Sequence, residues 1–160
     1  MKYVALQAIG LGLLTSVGLP NLESAYAGEN DHPGKCTLET LNGQYLVAAN
    51  GSLIPPVPLF SIPAETPPLV TAAAGYSIYS GDGTGTDWVT FTVNGINQDV
   101  TSPTPTKYTL NPDCTGTRTV LPSGPHFDIF VAVDGSGLTA VITDQGFAAS
   151  ESDRRVGSQP

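Results

Sequence analysis

The chain has 160 residues, with 14 Asp and Glu against 6 Lys and Arg, and its formal net charge is −8. An acidic chain does not replace the counterions of a phosphate backbone, so nucleic acid is excluded as an expected partner. Charged residues make up only 12% of the chain, while 18 Gly and 14 Pro form a fifth of it, which favours short strands and many turns. Hydrophobic residues at 40% are enough for a packed core, which excludes wholesale disorder. A chain of this length predicts one domain.

The chain begins with the pattern of a secretory signal peptide. Lys2 precedes an apolar run over residues 3–17, and Ala25-Tyr26-Ala27 supplies small residues for cleavage before Gly28. The apolar run is shorter than the roughly 20 residues that a membrane-spanning helix needs. We therefore expect residues 1–27 to be removed, and residues 28–160 to form a secreted or periplasmic domain outside the membrane.

Two cysteines, Cys36 and Cys114, remain in the mature chain. In an oxidising compartment an even number of cysteines predicts pairing, here one disulfide. Neither cysteine belongs to a C-x-x-C motif, so thiol oxidoreductase chemistry is not expected.

Period-two alternation of apolar and polar residues, interrupted by Gly, Asn and Asp, predicts a series of strands. Short turns join most of them, which favours an all-β fold: an antiparallel up-and-down β-barrel of about eight strands, with a β-sandwich as the alternative. Alternation also selects core positions, namely Val89, Phe91, Val93, Phe127, Ile129, Val131 and Val133. The predicted strands are 43–50, 72–80, 88–93, 107–111, 115–121, 127–133, 138–143 and 148–156.

A proline-rich segment, residues 51–68, interrupts the strand pattern. It contains six prolines with apolar residues between them, and prolines are not compatible with a central strand. Two interpretations stay open. The segment covers one end of the barrel or a sheet edge, or it forms a lid or a contact in a homo-oligomer.

Candidate catalytic residues are His126 and Asp128, with Tyr79 as a further candidate. His126 and Asp128 lie two apart on a predicted strand, so both side chains leave the same face. An imidazole oriented by a carboxylate is suited to general base catalysis. The alternative is that both point to solvent, because the residues between and beside them are apolar.

Aromatic residues provide the candidate ligand-binding groups: Trp88, Tyr76, Tyr108 and Phe60. The Tyr and Trp side chains combine an apolar body with a hydrogen-bonding group, so they can orient a ligand in a cavity. Alternatively, they pack at the barrel ends with their polar groups hydrogen-bonded.

The glycine-rich stretch 81–87 lacks the spacing of a dinucleotide-binding loop and is not followed by a predicted helix. We interpret it as a hairpin, with a calcium site using Asp82 and Asp87 as the alternative. The two histidines, His32 and His126, are not placed for a zinc site. No metal and no cofactor are therefore expected, and the chain has no G-x-S-x-G nucleophile motif.

Four short motifs follow one another along the chain. They are Leu41-x-Gly43-x-Tyr45, Gly81-Asp82-Gly83-x-Gly85, Asn94-Gly95 and Tyr108-x-x-Asn111-x-Asp113-Cys114-Thr115-Gly116-Thr117. Over roughly residues 36–144 this order resembles a group of small exported bacterial proteins of uncharacterised function. In strand count and glycine placement the chain is more loosely similar to the eight-stranded barrels of the allene oxide cyclase and dirigent type. That second resemblance implies a barrel whose apolar cavity guides cyclisation or coupling, and it carries no catalytic residue over to a position in this chain.

Three functions follow as expectations. The first is a binding module that holds a small neutral or apolar molecule at the barrel mouth. The second is a cyclase or isomerase in which shape and a few polar groups direct a reactive substrate. The third is a structural surface protein whose barrel is filled.

Overall fold

Nine β-strands account for most of the residues described by the computed structural model, which are 35–98 and 103–157. The predicted signal peptide, residues 1–27, lies outside them. Two short 3-10 helices, Leu38–Thr40 and Pro58–Phe60, accompany the strands. The strands are β1 (Asn42–Leu53), β2 (Leu69–Ser80), β3 (Thr84–Val93), β4 (Ile96–Asn97), β5 (Thr104–Leu110), β6 (Thr115–Val120), β7 (His126–Val131), β8 (Gly137–Ile142) and β9 (Phe147–Arg155).

Eight of these strands close into an antiparallel up-and-down barrel, which confirms the predicted fold class. Each strand pairs with the next along the chain, except that β3 pairs with β5 and the two-residue β4 only extends the end of β3. The barrel closes where β9 pairs with β1, from Tyr45 opposite Arg155 to Leu53 opposite Phe147. β9 pairs with β1 on one side and with β8 on the other, so Arg154 and Arg155 at its end do not lie at a free sheet edge.

The predicted strands match the eight barrel strands, with differences at their ends. β1 continues to Leu53, three residues into the segment predicted as a loop, because residues 51–53 pair with both β2 and β9. β3 begins at Thr84, four residues before the predicted start. The proline-rich connection is therefore residues 54–68, and the first proline, Pro55, comes just after the paired region.

One end of the barrel is filled by side chains, and we call it the closed end. Its core includes Leu41, Tyr45, Tyr79, Tyr108 and Ile129, all buried. The Tyr45 hydroxyl donates to Gly135 O at 2.7 Å, and the Tyr108 hydroxyl lies 2.9 Å from Leu41 O. These two tyrosines therefore occupy the barrel end with their polar groups hydrogen-bonded.

The predicted disulfide between Cys36 and Cys114 is present at the closed end. Cys36 N also donates to Pro112 O at 3.2 Å. Together these contacts hold the segment before β1 against the turn between β5 and β6, and both cysteines are buried in the same core.

Three aspartates form the turns at the closed end. Asp82, Asp113 and Asp134 each accept a backbone hydrogen bond from the residue two positions later, at 2.9 to 3.1 Å. Hydrogen bonds from Thr84, Thr115 and Ser136 lower the pKa of the respective carboxyl. Asp82 is thus part of a hairpin turn, while Asp87 is buried inside the barrel, so the two carboxylates do not form the alternative calcium site.

Most core positions predicted from the alternation of apolar and polar residues face the inside of the barrel. Phe127, Ile129 and Val131 are buried, as expected. Val89 and Phe91 also face inward, but they border a cavity and are only partly buried. The prediction for Val133 is wrong: its side chain is 47% exposed, because β7 ends at Val131 and the alternation ends with it.

Candidate functional site

The end opposite the disulfide contains a cavity of about 260 Å³. Inward-facing alanines leave this space: Ala49 on β1, Ala73 on β2 and Ala149 on β9 line it with methyl groups alone. Larger apolar side chains form the rest of the wall, including Phe60, Val89, Phe91, Phe127, Ile142 and Phe147. The wall is therefore mostly apolar, as in many small-molecule sites.

The proline-rich connection contributes one side of this cavity through Phe60. The Phe60 ring centroid lies 5.5 Å from that of Phe147 and 6.2 Å from that of Phe91. The connection is fixed to the barrel where Ile54 N donates to Gly146 O at 2.7 Å and where Val57 is fully buried. This geometry fits the interpretation in which the segment covers one end of the barrel.

Gly146 permits this attachment. Its φ is +86°, and a Cβ there would lie 2.6 Å from Pro56 O. A residue with a side chain would therefore be strained at this position and would collide with the proline-rich segment.

The floor of the cavity is ionic. Arg118 on β6 is only 2% exposed, and its Nη2 lies 2.7 Å from Glu151 Oε1 on β9. Its Nη1 donates to the Tyr79 hydroxyl at 2.8 Å and lies 3.8 Å from Asp153 Oδ2. The guanidinium carbon is 4.2 Å from the centre of the Phe127 ring, a distance suited to a cation–π interaction.

Strand alternation places these charges inside the barrel. On β9, Glu151 and Asp153 are in phase with Phe147 and Ala149, while the intervening residues are exposed. A third carboxylate, Asp87 on β3, is 7% exposed and accepts a hydrogen bond from Ser77 Oγ at 2.7 Å. Buried charges lower the stability of a fold unless they are paired, so the charged groups of this floor carry a desolvation cost.

Burial and neighbouring charges shift the pKa values of two groups that contact Arg118 but do not line the cavity, Asp153 and Tyr79. Desolvation, the charge of Glu151 and a hydrogen bond with Glu151 raise the pKa of Asp153 to about 8, against the opposing effect of Arg118. Desolvation also raises the pKa of the Tyr79 hydroxyl well above its usual value. Asp153 therefore keeps its proton at neutral pH, which lets it pack beside Glu151.

Some buried polar atoms in and beside the floor lack a hydrogen bond within the described part of the chain. Arg118 Nε and Asp153 Oδ1 are two of them. Glu151 Oε1 is a third, and its close contact is the ion pair with Arg118 Nη2 at 2.7 Å. Buried groups of this kind are uncommon and often mark a functional position.

The catalytic candidates His126 and Asp128 do not line the cavity. Both lie on the outer face of β7, where His126 is 58% exposed and its Nδ1 lies 2.9 Å from Asp144 Oδ1. The apolar residues Phe127 and Ile129 take the inward phase of that strand, which leaves the outward phase to His126 and Asp128. Tyr79, the third candidate, does lie inside, and its hydroxyl donates to Asp153 Oδ2 at 3.2 Å.

Of the four predicted ligand-binding residues, only Phe60 borders the cavity. Trp88 and Tyr76 stack on each other across β2 and β3, with ring centroids 5.1 Å apart, on the outer surface of the barrel. They face outward because Asp87 and Val89 take the inward phase of β3. Tyr108 is buried in the core of the closed end, where its hydroxyl contacts Leu38 and Leu41.

Comparisons with known proteins add no information about function. No protein-family model, curated protein or solved structure matches this chain. Within residues 35–98 and 103–157, no helix is both long and apolar enough to cross a membrane. What the structure defines is an eight-stranded barrel with one filled end and one hollow end, whose cavity has apolar walls and a charged floor.

Proposed function

We propose that this chain is a secreted or periplasmic protein that binds a small, mostly apolar molecule in the hollow end of its barrel. The observation that carries the proposal is the cavity of about 260 Å³ between Phe60 and the Arg118 floor. An engineered apolar protein cavity of about 150 Å³ holds benzene. A cavity of this size therefore suits a bicyclic hydrocarbon skeleton such as that of naphthalene.

The expected affinity is moderate. A ligand of about ten non-hydrogen atoms that gains about 0.6 kcal/mol per atom binds with a free energy near −6 kcal/mol, and its Kd is then tens of micromolar. Naphthalene itself is a suitable probe, because titration calorimetry or its fluorescence can measure the Kd and the stoichiometry.

Consecutive alanines on β2 allow a matched test. Ala73 faces the cavity, whereas Ala74 is exposed on the outer surface. Ala73→Leu adds three carbons inside the cavity and should weaken naphthalene binding by about tenfold or more, since the added side chain takes the space of the ligand. Ala74→Leu adds the same atoms outside and should leave the Kd within about twofold of the wild-type value.

Saturable binding of one naphthalene per chain, lost in Ala73→Leu and kept in Ala74→Leu, would support the proposal. Absence of saturable binding, or equal binding by both variants, would contradict it. The exported location has its own test, because the intact mass of protein recovered from its secretion route should correspond to a chain that starts at Gly28.

A cyclase or isomerase is the second candidate function. It is favoured by the floor, where Asp87, Arg118 and Glu151 converge on a mostly apolar cavity. Such groups, together with orientation by the walls, can direct a reactive substrate. Native mass spectrometry of the protein with its co-purified compound distinguishes the two functions. A binding module leaves the compound unchanged, whereas an enzyme converts it to a product. Glu151→Gln should stop that conversion.

A further inference from the structure

We infer that the ligand of this barrel is an amphipathic amine, with its apolar body in the cavity and its protonated nitrogen at the carboxylates of the floor. The inference rests on the proposed function and specifies the chemistry of the bound molecule. Asp87 and Glu151 are the two residues that would contact the ammonium group.

The first argument is the balance of charge inside the barrel. Asp153 keeps its proton at neutral pH, so two carboxylates, those of Asp87 and Glu151, face one guanidinium, that of Arg118. Arg118 pairs with Glu151 at 2.7 Å and lies 3.8 Å from Asp153. Asp87 forms no ion pair with any residue in the described ranges. Asp87 is near enough to Arg118 for its charge to raise the pKa of the guanidinium, but it has no close ion-pair partner. A buried carboxylate of this kind is costly, and a ligand cation would supply that partner.

The second argument is access. Asp87, Arg118 and Glu151 all line the cavity, whereas Asp153 is not part of its wall. Glu151 is 8% exposed, and its Oε1, which forms the ion pair with Arg118, accepts no hydrogen bond within the described chain. An ammonium N–H donated to such a carboxylate forms a charge-assisted hydrogen bond, about twice as strong as a neutral one.

The third argument is selectivity against anions. A ligand carboxylate could approach the unpaired Nε of Arg118 only by bringing a negative charge to a floor that already contains Asp87 and Glu151. The formal net charge of the whole chain, −8, adds a negative field that attracts cations and repels anions. A neutral alcohol fits the walls equally well but leaves the excess charge uncompensated.

Three probes with the same naphthalene skeleton test the inference: 2-naphthylmethylamine, 2-naphthalenemethanol and 2-naphthoate. At neutral pH the first is a cation, the second is neutral and the third is an anion. The amine should bind about tenfold more tightly than the alcohol, because a charge-assisted hydrogen bond replaces a neutral one. The carboxylate should bind more weakly than the alcohol.

Asp87→Asn is the informative variant. The asparagine keeps an oxygen that accepts the Ser77 hydrogen bond but removes the negative charge. The amine preference should fall to about twofold or less, while the Kd of the alcohol stays near the wild-type value and shows that the cavity is intact. Asp128→Asn removes the same charge from the outer face of β7 and should keep the preference. Should Asp87→Asn not fold, Glu151→Gln provides the second test with the same expected loss of preference.

Equal affinities of the amine and the alcohol in the wild-type protein would overturn the inference while leaving the proposed function intact. A preference that survives in both Asp87→Asn and Glu151→Gln, or that disappears in Asp128→Asn, would also overturn it, because attraction to the acidic surface would then explain it. If neither naphthalene nor any of the three probes binds, the proposed function fails as well.

Discussion

The buried carboxyl of Asp153 should make the stability of this barrel depend on pH in an unusual direction. Its pKa rises from 3.8 to about 8 on folding, so between these values the folded chain holds a proton that the unfolded chain releases. The contribution of this group is complete below the unfolded pKa and is lost as the pH rises toward 8. Each pH unit in that window therefore lowers the free energy of unfolding by about 1.4 kcal/mol.

Asp153→Asn isolates this effect. The amide cannot titrate, but its oxygen can still accept the hydrogen bond from the Tyr79 hydroxyl. From about pH 5 to pH 7 the free energy of unfolding of the variant should therefore rise by about 3 kcal/mol relative to that of the wild type. Urea unfolding at fixed salt, with the disulfide intact, measures this difference at several pH values.

Asp82→Asn is the control for this experiment. Turn hydrogen bonds from Thr84 lower the pKa of Asp82, so its stabilising effect is present above the unfolded pKa and is lost only as the pH falls through more acidic values. Between pH 5 and pH 7 its stability curve should run parallel to that of the wild type. A parallel curve for Asp153→Asn as well would refute the reasoning, since it would mean that Asp153 is ionised in the folded protein.

Two further predictions concern stability and use the same unfolding assay at neutral pH. Replacing both Cys36 and Cys114 by Ser should lower the free energy of unfolding by about 4 kcal/mol, because the bridge closes a loop with a sequence separation of 78; an unchanged value would show that the unfolded chain is not constrained by the bridge. Arg118→Met should cost about 3–5 kcal/mol, because it leaves buried carboxyls without their cation. A loss below about 1 kcal/mol would mean that the floor does not need its guanidinium.

The barrel was predictable from sequence because most strands have one apolar face and short turns. Phe127, Ile129 and Val131 show this alternation, and their strand has the expected inward face. Proline marks the long connection, and the even number of cysteines predicts the disulfide. These local sequence features are enough to predict the overall architecture, because each barrel strand pairs with its neighbours in sequence.

The floor of the cavity was missed because its residues violate the rule that charged side chains face solvent. Arg118, Glu151 and Asp153 resemble exposed positions when each is read alone. One signal was available: Glu151 and Asp153 continue the inward phase of Phe147 and Ala149 on the same strand. Sequence alternation assigns a face to each residue, but it does not reveal that charges on different strands, here β6 and β9, meet inside the barrel.

The candidate site residues show the same limit. Trp88 and Tyr76 have side chains suited to a ligand site, but the phase of their strands turns them outward, where they stack on each other. Phe60 borders the cavity because the proline-rich connection joins two strands at the hollow end. Chemistry identifies which residues can bind a ligand, whereas strand phase decides which of them can reach it.

The seam between the first and last barrel strands has a practical consequence for how this protein can be handled. Because β1 starts and β9 ends beside each other, with Tyr45 opposite Arg155, both ends of the barrel chain emerge at the closed end. A short linker could therefore join them, and new termini could be opened in a surface turn such as the one between β7 and β8. Tags or surface tethers attached at either end would lie away from the mouth of the cavity, so immobilised protein would present that mouth to solution.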